Sequence, residues 1–254
     1  TGSDIPFRWE DVEYGRRFMR KLWNACRFAS IQLEDFDPRK QEEPKVLDKW
    51  LMSHLERLTA EVTEALDTYQ FNNALNALRT FTWHTLCDHY IEDVKHRLYK
   101  GEAGRTAAQS TLYHAIYRVL QFLAPFCPHI AEEIYQAMFA EGEQDSIHLT
   151  KWVKFDRSKM DEEAEKVGDM IVALIANVRG EKARRGLPLN AELKRLTVYA
   201  GNVSAQKALE EGREDIAATL KVSEIEILPI RGTGITVQEY ADISFVFIDT
   251  VART

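Results

Sequence analysis

Cysteine is scarce in this sequence, with three in 254 residues, at positions 26, 87 and 127, and no CxxC pair. An odd, widely spaced trio excludes a disulfide framework and reads as reduced thiols of a cytosolic core. Long hydrophobic runs are also missing. Arg, His or Gln interrupts each apolar stretch within a few residues, so no segment is expected to span a bilayer. The opening "TGSDIPFRWED" has no apolar region of the kind a secretory leader needs, and none is expected. Positive charge is in the minority, with 33 Lys and Arg against 40 Asp and Glu and a formal net charge of −7. That balance argues against indiscriminate nucleic-acid binding and leaves room for a local basic patch.

Motifs of catalysis are equally thin. "RGTGIT" has too few glycines and no Lys-Ser/Thr pair for a phosphate-cradling loop. "HIAEE" has the wrong order for a zinc protease and lacks the second His. His84 and Asp88 are spaced i, i+4, but His89 falls on another side of the helix, so no metal site is expected. Cys87 lies in a largely apolar helix and reads as a packed thiol. Trp50 and Trp83 read as core.

What is present is helix. Phe18, Leu22, Cys26 and Ala29 recur at helical spacing between about Trp9 and Leu33. The polar connector "EDFDPRKQEEPK" follows, with Pro38 and Pro44 marking loop. A second amphipathic helix, Val46 to Tyr69, carries Leu51, Leu55, Leu58, Val62, Leu66 and Tyr69 on one stripe. A third, Phe71 to Tyr99, is apolar on most sides, as befits the middle of a bundle. "GEAGR" turns the chain into a fourth helix, Thr106 to Ala124, which Pro125 stops. Pro128 suits the start of a fifth, "HIAEEIYQAMFAE". This predicts an up-and-down helical bundle over residues 1–157.

Beyond Gly142 the pattern changes. "SIHLTKW" reads as a short extended segment, and a linker leads to a sixth helix that begins in acid (Asp161, Glu162, Glu163) and ends in base (Lys182, Arg184, Arg185). "LKRLTVYA", "EIEILPI" and "ISFVFI" read as strands, with a helix around Ala205 to Leu220 between the first two. Residues 158–254 are therefore expected to form a small α+β module, and the chain as a whole to be mainly α.

The stretch "GRRFMRKLWNACRF", Gly15 to Phe28, sets five basic residues in fourteen positions of an acidic chain. At about 100° per residue, Arg17, Lys21, Asn24 and Phe28 gather on a face away from the core stripe. A cation beside an accessible ring is the pairing that holds an unstacked RNA base. A solvated helix face, with Phe28 packed against a second neighbour, fits the same wheel, and the wheel leaves both readings open.

Four blocks carry a resemblance: "TGSDIPFRWEDVEYGRRFMRKLWNACRF", "FTWHTLCDHYIEDVKHRLY", "LQFLAPFCPHIAEEIYQ" and "SIHLTKW". In this order they resemble the region that follows the catalytic core in the valyl branch of the class I aminoacyl-tRNA synthetases. "KLWNACRF" alone would suit the isoleucyl and leucyl relatives too; Trp83, Cys87, Asp88, Tyr90 and Glu92 favour the valyl pattern. The resemblance implies a helical anticodon-binding domain. The family's two ATP-binding signatures, HIGH and KMSKS, are absent from these residues. The chain is thus expected to bind tRNA of the valine isoacceptors without catalysing anything itself. ATP and Mg would serve the parent enzyme, a valine–tRNA ligase of the cytoplasm. No catalytic residue, metal or cofactor is expected in this chain, and neither DNA nor a membrane is an expected partner.

The resemblance also places an anticodon site between the first and third helices, at Lys21, Phe28, Ile91 and Glu92. Phe28 would stack on a splayed base, Lys21 would meet backbone or a base acceptor, and Ile91 would close an apolar wall. Glu92 would accept from an exocyclic amine, available because the valine anticodon carries A and C at its second and third positions. An ion pair of Glu92 with Lys95 or His96 is the competing reading. Arg17, Arg20, Asn24, Arg27 and Lys95 would be peripheral contacts. The basic stretch Arg179, Lys182, Arg184, Arg185, Lys194 and Arg195 would either guide tRNA backbone or complement its own helix dipole. Two departures stand out. Some relatives carry a contacting Arg where this chain has Glu10, and the bacterial C-terminal coiled coil has no counterpart, an archaeal-type arrangement. A helical protein-interaction domain with a basic face is the alternative from another functional class.

Overall fold

A computed structural model describes residues 7–99, 102–142 and 144–249. Residues 1–6 of the first resembling block, Gly101 of the expected "GEAGR" turn and the last residues of the module lie outside the described ones. The chain divides into two compact units. The first comprises residues 1–44, 51–91 and 97–160; the second comprises 45–50, 92–96 and 161–254.

The first unit is helical. Helix α1 runs Trp9–Gln32, with Glu10 and Asp11 in the first turn, where the helix dipole favours acid. Phe18, Leu22, Cys26 and Ala29 are all buried, and burial pushes the Cys26 thiol upward, leaving it inert. Helix α2 runs Val46–Asp67 and buries Leu51, Leu55, Leu58 and Val62. Its expected stripe ends early: Tyr69 is 80% exposed and takes a φ of 58° in the turn after the helix.

The expected third helix is three successive windings. Helix α3 covers Phe71–Thr80, a π-helical run covers Phe81–Ile91, and α4 covers Glu92–Leu98. The wider i→i+5 winding changes which residues face inward. Thr82, Leu86, Cys87 and Ile91 are buried, whereas Trp83, expected in the core, is only half-buried.

Gly104 takes a φ of 78°, which a side chain would oppose, and opens α5, Arg105–Leu123. Arg105 ties α5 to the end of α1. Its Nη1 and Nη2 donate to Asp35 at 2.9 and 2.8 Å, and its Nε donates to the Leu98 carbonyl at 3.0 Å. The guanidinium beside it holds the Asp35 carboxyl down at about 2. Helix α6, Pro128–Met138, starts on its proline as expected. "SIHLTKW" is not extended: Ile147–Leu149 form a 3₁₀ turn, with the Ser146 side chain accepting from the His148 N–H.

The second unit contains α7 (Glu162–Arg184), capped by Asp161, whose side chain accepts from the Ala164 N–H at 2.9 Å. Strands β1 (Leu193–Ala200), β2 (Val222–Leu228), β3 (Ile235–Val237) and β4 (Tyr240–Asp249) form one sheet in the order β2-β1-β4-β3. β1 and β2 are parallel, joined by a crossover through α8 (Val203–Glu211) and α9 (Arg213–Leu220); the β1–β4 and β3–β4 pairs are antiparallel. Leu196, Val198, Ile227, Phe245 and Phe247 point to a covered face, while Arg195, Glu224, Val246 and Ile248 are exposed. Two features differ from expectation. The single helix around Ala205 to Leu220 is two, broken at Gly212, where a Cβ would collide with the Ile171 side chain of α7. The fourth strand, β3, is three residues long, too short for an alternation signal.

Candidate functional site

The outward face of α1 carries several cations that meet no carboxylate among the described residues. Arg17, Arg20, Asn24 and Arg27 are exposed on this helix. Among the described residues, no carboxylate pairs with the guanidinium of Arg17, Arg20 or Arg27, whereas Arg16 lies 2.9 Å from Glu13. Helix geometry is the reason: Asp11 and Glu13 sit near the N-terminus, and from Tyr14 to Gln32 the helix carries no acid.

Lys21 is less free. Its ammonium donates to Asp88 Oδ1 and stands 4.6 Å from the centroid of the Trp83 ring. The second oxygen of Asp88 meets His84 Nδ1 at 3.0 Å. Phe28 is half-buried, one turn beyond Asn24, so its ring is neither enclosed nor fully open. Ile91, expected as a wall of the site, is 6% exposed and belongs to the core through the π-helical winding.

In the second unit, Glu92 and Lys95 form an i, i+3 pair at 2.6 Å with both side chains nearly half-exposed. The competing reading of Glu92 is thus the observed one. Its neighbour Asp93 is fully buried, with Arg179 Nη1 2.9 Å from Oδ1. Burial, against the opposing pull of Arg179, raises the Asp93 carboxyl to about 7.

The basic end of α7 is engaged in structure. Lys182, expected as an RNA contact, has no exposed surface. It donates to the carbonyls of Ala191 and Leu220 at 2.8 Å each and of Leu189 at 3.3 Å. Three acceptors match the three donors of an ammonium, so this lysine holds the end of α7, the β1 approach and the end of α9 together. Burial brings its pKa down to about 8. Arg185 lies 2.8 Å from Glu181 and 4.1 Å from the Phe247 ring centroid. Arg184 lies 3.2 Å from the same Glu181 with its side chain largely in water. Arg195 pairs with Glu224 across β1 and β2 at 2.8 Å, and Lys194 is exposed.

Three residues near Lys21 escaped the sequence reading. Tyr14 and Trp83 lie with ring planes 3° apart and centroids 6.4 Å apart. Arg79 and Arg17 sit over Tyr14, at 4.9 and 5.8 Å from its centroid. Tyr14 had a legible signal, because it continues the series Arg17, Lys21, Asn24, Phe28 one step towards the N-terminus. Arg79 and Trp83 had none, since their approach to α1 joins segments distant along the chain. A separate cavity of about 670 Å³ between α2 and α3 is lined by Glu61, Glu64, Asn73 and Asn76 among others, and contains none of the residues above.

Comparison with known proteins completes the picture. A family model described as the anticodon-binding domain of tRNA ligase matches residues 48–197, more than half of the chain. The valine–tRNA ligase of Pyrococcus horikoshii is 42% identical over 232 residues, covering 89% of this chain and 26% of its own length. Those of Thermococcus kodakarensis and Methanothermobacter thermautotrophicus are 42% and 44% identical, again over 89% of this chain. The chain therefore spans about a quarter of the length of the curated relatives it matches.

Proposed function

This chain belongs to the family of anticodon-binding domains of tRNA ligases, and we propose that it recognises the anticodon of valine tRNAs through the outward face of α1. The carrying observation is that Arg17, Arg20 and Arg27 are exposed without acid partners among the described residues, with the half-buried Phe28 beside them. Unpaired cations attract phosphate at long range and fix the RNA in place, while a ring offers a stacking surface that any base can use. Lys21, steered by Asp88 and Trp83, supplies a donor at a set position for a base acceptor or a phosphate.

The bundle, residues 1–157, is the tRNA-binding part, and the α+β module, 158–254, accompanies it. Ile91 supports the face from within the core. Glu92 reads an amine only by surrendering Lys95, an exposed pair worth about 0–1 kcal/mol, so the exchange is cheap. The parent protein joins valine to its tRNA with ATP and Mg in the cytoplasm.

Titration of the chain with an anticodon stem-loop RNA tests this reading. Binding should weaken with salt and weaken again when the second or third anticodon base is changed. Phe28→Ala should lower affinity by about 1–3 kcal/mol if the ring stacks on a base. Binding indifferent to both bases, and matched by an acidic polypeptide, would leave a basic protein-interaction face and remove the anticodon.

A further inference from the structure

We propose that Tyr14 and Trp83, flanked by Arg17, Arg79 and Lys21, form a second stacking platform for an unpaired nucleotide. This deepens the reading above and rests on it. All five residues belong to the first unit.

The rings come from α1 and from the π-helical run, and their planes are parallel to within 3°. Tyr14 is 38% exposed and Trp83 is half-buried, so neither ring is closed off. Each carries a cation near its face: Arg79 and Arg17 at Tyr14, Lys21 at Trp83. Tyrosine and indole faces beside guanidinium planes are the materials with which proteins hold splayed RNA bases.

Arg79 supplies an independent sign of an absent partner. Its Nε is buried without a hydrogen-bond acceptor, although its guanidinium is held over Tyr14. A cation that could reach a carboxylate normally does so, and neither Arg17 nor Arg79 has one among the described residues. A nucleotide satisfies both halves of this arrangement at once. The base lies against the ring that the cation now covers, and the cation turns to the phosphate. The exchange is favourable because a cation over an exposed ring is worth less than a stacked base. An acidic peptide would supply the anion but not the flat apolar surface that two parallel rings fit. Both rings lie on the side of α1 that carries Lys21, so the platform extends the α1 face towards its N-terminus.

The test uses the full chain and an anticodon stem-loop RNA carrying the fluorescent base 2-aminopurine, placed in turn at each loop position. At one position, binding of the unaltered chain should quench the fluorescence through stacking on indole. Trp83→Leu and Tyr14→Leu should each weaken binding about 5- to 100-fold, and Trp83→Leu should abolish that quenching. Trp83→Phe, which keeps a flat ring, should retain most of the affinity and guards against a loss of folding, as does an unchanged circular-dichroism melt. Arg79→Gln should weaken binding and reduce its salt dependence. Anticodon-dependent binding that survives Trp83→Leu undiminished would overturn the platform and leave the wider reading intact. An unaltered chain without anticodon-dependent binding would defeat both. A loss of affinity for polyglutamate as large as that for RNA would overturn the platform in favour of an acidic-chain site.

Discussion

Helices α1 and α7 both carry several Arg and Lys residues, and they treat them differently. On α1, Arg17, Arg20 and Arg27 face water and pair with no acid among the described residues. On α7, Arg179 is drawn to Asp93, Lys182 to three carbonyls, and the last turn to Glu181. Basic residues on a helix therefore say little about partners until their own neighbours are counted. A formal charge of −7 averages over both cases. A polyanion finds cations where the protein has not already neutralised them, and the proposal of α1 rests on that difference.

The contrast can be broken most forcefully at Lys182. Replacing it by Met should leave buried carbonyls unpaired and destabilise the second unit by about 2–4 kcal/mol in a denaturant titration, with RNA affinity unaffected. Loss of RNA affinity by a folded Lys182→Met protein would restore α7 as a contact.

The converse change is on α1. Converting Arg17, Arg20 and Arg27 together to Gln should weaken stem-loop binding about 10- to 100-fold at moderate salt and flatten the salt dependence by about two units of log slope. Stability should largely hold, because these side chains are exposed and pair with no carboxylate among the described residues. Converting Arg184 and Arg185 to Gln should do less; an equal loss in an RNA titration would erase the distinction between the helices.

The smallest expected effect is a pH dependence. The Asp93 carboxyl is raised from an ordinary carboxylate value to about 7. Between about pH 4 and pH 7 the folded chain therefore holds a proton that the unfolded chain has released, so stability contributed by this group falls as pH rises through that window. Asp93→Asn should flatten this part of the profile. Melting temperatures at pH 5 and pH 7.5 should lie several degrees closer together in the variant than in the unaltered chain. An unchanged profile would mean that Arg179 keeps Asp93 ionised throughout.

Much of the architecture was legible in the residues because it rests on local regularity. The α1 stripe of Phe18, Leu22, Cys26 and Ala29, the stop before Pro125, the start at Pro128 and the acid-to-base polarity of α7 each follow from spacing or from a backbone rule. The candidate site was legible only in part. Arg17, Lys21 and Phe28 share a face by helical arithmetic, and Tyr14 belongs to the same series. Trp83 did not follow: read as core, it is only half-buried and meets Lys21 and Tyr14, partners that the linear order does not set beside it. Lys182 failed for another reason: a terminal lysine looks alike whether it faces solvent or three carbonyls from distant parts of the chain.

Helical periodicity and turn residues thus decided from the linear order which segments coil, where they stop and which stripe of α1 turns inward. Those properties depend on interactions between residues a few places apart, which every sequence displays. The fate of each cation was settled by folding alone, since the carboxylate, carbonyl or ring that meets it comes from elsewhere in the chain. Lys21 found Asp88 and Trp83, Arg179 found Asp93, and Arg17, Arg20 and Arg27 found no acid among the described residues. Coulomb attraction and desolvation act over ångströms in space, and separation along the chain does not reveal them.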